Sequence, residues 1–246
     1  MSNQAPITLQ QLFRFKRPWG ELPLQDAAIP ELEADILANG YEVAMRRDRP
    51  WFTNTWSQAG KQPETTTSAT VALKVPYEFQ LDNSSGTGYR ECFSSSCAMV
   101  AEFHGCLKGG DDAYNRVRAQ FGDSTDAQAQ IKALRSLGLE ARLVTNGTLE
   151  MLEAELRAGR PTPVGWLHKG SITAPSGGGH WTVAIGFDAE AITHNDPNGE
   201  ADMVGGGYVR QGPADGKGVR YSRANWGRRW MADGNGTGWM MLIRKP

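Results

Sequence analysis

The sequence predicts an α+β fold, helices packed on an antiparallel sheet, with an N-terminal helical extension. Apolar residues recur at helical spacing through the middle of the chain, alternating apolar segments fill its last third, and glycine (29 of 246 residues) concentrates beyond residue 170, where turns are needed. A 39% hydrophobic share with eight Trp and eight Phe supplies the surface for a core and excludes wholesale disorder. Lys and Arg number 26 against 27 Asp and Glu, a formal net charge of −1, which argues against a nucleic-acid partner. No apolar run reaches the roughly 18 residues that span a bilayer, so no stable membrane insertion is expected. The first residues lack a basic stretch followed by an apolar run, so the expectation is no signal peptide and cytoplasmic synthesis.

Residues 1–69 read as an N-terminal extension and 70–246 as the main domain. In the extension, Pro30 with Glu31 and Glu33 opens a helix over about 30–46, placing Leu32, Ile36 and Leu37 on one face and Gly40 as a weak point. Arg46, Arg47 and Arg49 then interleave with Trp51, Phe52 and Trp56: a basic turn with its aromatics folded back, or a patch that binds a ligand or surface. The polar stretch 57–69 reads as a linker.

From Thr70, TVALKVPY reads as a short strand ending near Gln80, and SSGTG as a loop. A helix beginning at Cys92 places Phe93, Cys97, Val100 and Phe103 at helical spacing and stops at Gly105. A second helix follows an Asp111 cap, and a third runs from Ser124 to a Gly138 stop. LEARLV is a strand, and Thr148 caps a fourth helix ending at Gly159. Beyond it TPVGWLH, HWTVAIGF, AITHND and WMMLIR read as strands. Strict alternation puts Val183, Ile185 and Phe187 on one face of HWTVAIGF and His180, Thr182 and Ala184 on the other.

Cys92, Cys97 and Cys106 lie within fifteen residues. An odd count without a secretion signal speaks against a disulfide framework, and the spacings of five and nine do not match a zinc site. Cys92 stands where a predicted helix follows a Gly-containing loop, and the free N–H groups and dipole there stabilise a thiolate. Cys97 falls on the apolar face and Cys106 after the helix stop. A thiolate nucleophile needs a base, and the base needs an orienting group. Of the four histidines, His180 follows Gly177–Gly179 and opens a strand at the sheet's rim; His168 and His194 read as ordinary strand residues. Asp196 on the next strand can reach His180, and Asn195 is the other candidate for the orienting role. Taken singly, each has a plain structural alternative: a buried thiol, a satisfied histidine, an Asp-Pro turn and, for Gln80, a surface amide.

KVPYEFQLDN, CFSSSCAMV, GGGHWTVAIGFD and HNDPNG, in that order, resemble the C39-like branch of the papain-like cysteine peptidases over about residues 71–205. The resemblance implies a papain-like fold and, position by position, Gln80 as the oxyanion-hole residue, Cys92 as nucleophile, His180 as base and Asp196 as the orienting acid. Ala98 and Met99 match the helix that carries the nucleophile. The chain departs from the pattern at Phe93-Ser94, where the family usually has Gly-Pro. The implied activity is amide-bond hydrolysis through a thioester, with no metal or organic cofactor. With no GxxxxGK[ST] motif and no membrane span, an exporter-linked role is disfavoured, and the reading is a phage-type endolysin cutting the peptide part of bacterial peptidoglycan after release. The alternatives are a catalytically silent peptide-binding or virion structural module of the same fold, and an acyltransferase.

Overall fold

The computed structural model describes Tyr41–Val43, Trp56–Gln58 and residues 70–246. The chain divides into two units, Met1–Thr67 and Ser68–Pro246. In the first, β1 (Tyr41–Val43) pairs antiparallel with β2 (Trp56–Gln58), Val43 opposite Trp56. These strands correct the far end of the expected 30–46 helix and the start of the expected linker. Gly40 is a poor helix propagator, while Tyr and Val suit a pleated ladder. The rest of that helix, of the Arg/Trp segment and of the linker lies outside the described residues.

The second unit runs β3 (Val71–Ala72), α1 (Cys92–Phe103), α2 (Gly110–Arg118), α3 (Ala127–Ser136), β4 (Glu140–Gly147), α4 (Leu149–Arg157), β5 (Thr162–Trp166), β6 (His180–Phe187), β7 (Ala191–Asn195), β8 (Glu200–Ala201), β9 (Tyr208–Arg210), β10 (Val219–Ser222), α5 (Arg223–Trp230) and β11 (Gly238–Arg244). The main sheet is antiparallel in the order β10-β7-β6-β5-β11-β4, with β3 added at the end of β6, and β8 pairs with β9 separately. This is the expected α+β arrangement of helices on an antiparallel sheet.

Both faces of the sheet are covered. On one, Met99, Val100 and Leu134 from α1 and α3 pack on Val183, Met241 and Ile243. On the other, Leu152, Leu156 and Trp226 from α4 and α5 pack on Val164, Ala184 and Met240. Successive residues of β11 therefore serve opposite cores, as the two-residue repeat of a strand requires. Phe187 departs from the expected alternation and joins the core of Ala184. The β6–β7 register shifts between Ala184 and Gly186, and one extra residue reverses every side chain beyond it. Only glycine fits at 186, because a Cβ there would lie 2.2 Å from the Val71 carbonyl oxygen.

Helix ends follow local capping chemistry. Thr148 caps α4 as expected, its Oγ1 accepting from Met151 N–H at 3.2 Å. The second helix starts at Gly110 behind left-handed Gly109, not after an Asp111 cap, since the Asp111 carboxylate is committed to the Ser95 hydroxyl. The third starts at Ala127, where Asp126 accepts from Gln128 N–H at 2.8 Å, three residues later than expected from Ser124. The strand expected to reach Gln80 is limited to Val71–Ala72, and Gln80–Asp82 is a 3-10 turn. Pro76 has no N–H to give a ladder there. Helix α5 was hidden among the expected strands. Ser222 caps it through Asn225 N–H at 3.2 Å, and Trp226 and Trp230 sit one turn apart, while Gly227 blurs the helical signal.

Candidate active site

Cys92 is the first residue of α1, whose N-cap, Glu91, makes no side-chain cap hydrogen bond. The Glu91 carboxylate is spent elsewhere: it accepts from Asn83 Nδ2 (2.8 Å), Ser85 Oγ (2.8 Å), Thr87 Oγ1 (2.9 Å) and Asn115 Nδ2 (3.2 Å). Those contacts pin the 83–87 loop and leave the first-turn N–H groups of α1 without a side-chain acceptor. Cys92 is half-buried, whereas Cys97 is fully buried and burial pushes its thiol well up. Cys106 is half-buried after the end of the helix and contacts the His104 carbonyl oxygen at 3.7 Å. Only Cys92 combines access with a helix start.

His180 opens β6, paired with Trp166 of β5, and Asp196 directly follows the last residue of β7. The β6–β7 hairpin that brings them together closes on Asp188, whose Oδ1 accepts from Glu190 N–H (2.9 Å) and Ala191 N–H (3.0 Å). His180 Nε2 donates to Asp196 Oδ1 at 2.7 Å. The Cys92 side chain lies close enough to the same imidazole to favour its charged form. Burial opposes the imidazolium, but the Asp196 carboxylate and Cys92 outweigh it and raise His180 to about 10. The rings of Trp166, His168 and Tyr208 surround the imidazole with centroids 5.4, 5.6 and 5.8 Å away.

Asp196 is fully buried and oriented from several sides. Beside His180, Oδ1 accepts from Asn198 N–H at 3.0 Å, and Oδ2 accepts from the Tyr221 hydroxyl at 2.9 Å. Its carbonyl oxygen accepts from the Tyr77 hydroxyl at 3.0 Å, and its N–H reaches the Gly216 carbonyl oxygen at 2.8 Å. A Cβ at 216 would fall 1.9 Å from the Asp196 oxygen, so that position is restricted to glycine. Asn195 does not touch His180. Its amide donates to the carbonyl oxygens of Val75 (3.3 Å) and Pro76 (3.0 Å), and its Oδ1 accepts from Gly218 N–H (3.1 Å). Asn195 thus stitches the VPY segment to the rim of the sheet.

Gln80 is a buried amide, 2% exposed, where its composition alone suggested a surface residue. Its Nε2 donates to the Gly88 carbonyl oxygen at 2.9 Å, which occupies one of two amide hydrogens. Its backbone N–H bonds to the Pro197 carbonyl oxygen at 2.9 Å, tying the Gln80 turn to the Asp-Pro-Asn-Gly turn. Hydrogen bonds therefore join the Gln80, His180 and Asp196 motifs, and the Cys92 helix packs on the same sheet through Met99, Val100 and Val183. Glu91, Tyr77, Tyr221 and Tyr208 were not anticipated. Tyr77 stands inside the KVPYEFQLDN motif and Glu91 adjoins Cys92, but Tyr208 and Tyr221 come from distant strands with no local signal.

A family model for the papain-like cysteine protease AvrRpt2 matches residues 69–205, more than half of the chain. The chain belongs to this family. Its members are cysteine proteases, and the matched span contains Gln80, Cys92, His180 and Asp196. No curated protein matches the chain. Solved structures similar to this papain-like chain include a double glycine motif protease from an AMS/PCAT transporter in complex with its leader peptide (20% identity, TM-score 0.45). A protein from Bacillus anthracis described as a C39-like peptidase (16%, 0.49) and the peptidase domain of Streptococcus ComA (15%, 0.44) are also similar. Each likeness covers 72% of this chain and 98% of the other. Among the described residues, no helix of the papain-like chain is long and apolar enough to cross a membrane.

Proposed function

We propose that Cys92, His180 and Asp196 act as a thiol-hydrolase triad on peptide bonds, with Gln80 Nε2 and the Cys92 N–H as oxyanion donors. The observation that supports this best is the buried imidazole of His180, which bonds to Asp196 through Nε2 at 2.7 Å and has a half-buried helix-start cysteine among the groups that act on its charge. The Cys92 thiolate attacks the carbonyl carbon, and the resulting oxyanion takes hydrogen bonds from the free Gln80 amide hydrogen and the helix N-terminus. His180 gives its proton to the leaving amine as the C–N bond breaks. The neutral imidazole then takes a proton from water, which attacks the thioester and returns the thiolate. Asp196 holds the tautomer this requires.

As substrate we propose the peptide part of bacterial peptidoglycan, in the manner of a phage-type endolysin. Support comes from the Arg/Trp-rich composition of 46–56 preceding the peptidase unit, which suits surface attachment. The departure from the family pattern at Phe93 does not favour a silent module, because the ring is 2% exposed in the core and leaves the Cys92 thiol accessible. The test is digestion of purified peptidoglycan and of an unrelated unfolded protein by wild type and Cys92→Ala, with mass analysis of products. Cys92-dependent release of wall peptides is expected. Cleavage of the unrelated protein alone overturns the wall substrate, and no Cys92-dependent product from either overturns the peptidase reading.

A further inference from the structure

Cys92 and His180 are each the first residue of their element, where the local backbone restrains least. The start of α1 has no side-chain cap, and His180 follows three exposed glycines, two of them in the left-handed region (Gly177 φ 106, Gly179 φ 90). Asp196 orients the far side of the imidazole but does not set its distance from the thiol. The next residue of each element makes a rigid contact of its own. Phe93 and Trp181 stack with ring centroids 3.7 Å apart and planes within 1°. Phe93 is 2% exposed, and the indole lies against β5 at Gly165, where a Cβ would come 2.9 Å from Cε2 and 3.0 Å from Cζ2.

We infer that the Phe93–Trp181 stack, backed by Gly165, is a positioning device that holds the Cys92 thiol against the His180 imidazole; this rests on the triad reading above. Adjacent Cα atoms are about 3.8 Å apart. Fixing residues 93 and 181 face to face therefore leaves 92 and 180 little more than rotation. The covalent links 92–93 and 180–181, with the stack between them, close a ring when the thiol meets the imidazole. Such closure matters because a misplacement of about 1 Å costs on the order of a hundredfold in rate. It also explains why the position after the nucleophile carries a large aromatic and why a glycine on the neighbouring strand faces the indole.

The test is the pH profile of Cys92 alkylation by iodoacetamide on the full chain. The other titratable groups around the imidazole do not obscure it: burial lowers His168 to about 4 and His194 to about 3, and pushes the Tyr208 hydroxyl far up. At pH about 6.5 a free thiol of pKa about 8.5 is about 1% thiolate, so complete loss of the pair costs about a hundredfold in rate there. Phe93→Leu keeps buried apolar volume and removes the stack. Gly165→Ala leaves both rings and pushes a methyl under the indole. Each is expected to slow alkylation at that pH by at least about tenfold, with an unchanged rate once the thiol is fully ionised. Leu156→Ala, in the opposite core, is expected to lower stability and keep the wild-type profile. A wild-type profile in folded Phe93→Leu overturns the inference, as does an equal shift in Leu156→Ala. Wild type and His180→Ala reacting alike would instead remove the triad reading, and this inference with it.

Discussion

Asp196 presents two oxygens to three donors, the His180 ring, the Asn198 N–H and the Tyr221 hydroxyl. Asp196→Asn keeps the shape but offers an N–H where an acceptor is required. Turnover is expected to fall by about 10²–10⁴ with the melting temperature little changed. Asn195→Ala removes contacts to Val75, Pro76 and Gly218, so it is expected to destabilise by about 1–3 kcal/mol and to retain turnover within about tenfold. Kinetics and thermal melts on the pair decide between them; larger loss of turnover in Asn195→Ala would transfer the orienting role. These roles were only half legible in sequence. Spacing offered both residues as candidates, and side-chain direction at the end of β7, which spacing does not encode, separates them. Cys92 was more legible, because a helix start can be read from periodicity, whereas the burial of Gln80 depends on Gly88 and Pro197 closing over it.

The extended segment before Gln80 meets α1 and α2 through a carboxylate cluster. Burial, Asp111 and Glu102 together raise Glu78 to about 8, and burial chiefly raises Asp111 to about 6. The folded form therefore keeps protons that the unfolded chain gives up near its ordinary 4.5 and 3.8. Stability is complete below those values and falls as pH rises through the folded ones. Glu78→Gln is expected to flatten the fall between about 4.5 and 8 and to raise stability at the upper end; urea titrations across that range check this, and an unchanged slope would contradict it. At this scale the sequence was informative where a helix carried its own cap, as Thr148 does for α4. It failed where tertiary contacts overrode the pattern: the bulge that turns Phe187 over, the short β3, and α5, whose central Gly227 masked a capped amphipathic turn.

Over the whole molecule, His180 adds a second pH effect of the same sign. Its folded value, about 10, lies above the ordinary 6.5, so its contribution is complete below 6.5 and is lost as pH rises toward 10. Hydrolysis is accordingly expected to persist well above neutral pH and to decline near 10 as the imidazolium is lost, which a kcat/KM profile measures. Treating 1–69 as a separate domain, we expect removal of residues 1–68 to weaken attachment to insoluble wall material while sparing turnover on a small soluble peptide; equal loss of both would make the segment part of the catalytic unit. The α+β architecture was readable from the order of periodic segments, since helices on an antiparallel sheet leave a clear pattern. The convergence of four distant motifs was not, because no spacing rule states that Tyr77, Gln80 and Asn195 fasten one segment to another. The central claim, acyl transfer through Cys92, is tested most directly by acid-quenched intact-mass analysis during turnover of a cleaved peptide. The account predicts an adduct equal in mass to the acyl half of the substrate, mapped to Cys92 and missing in Cys92→Ala. An adduct on Cys97 or Cys106, or sustained turnover by Cys92→Ala, would contradict it.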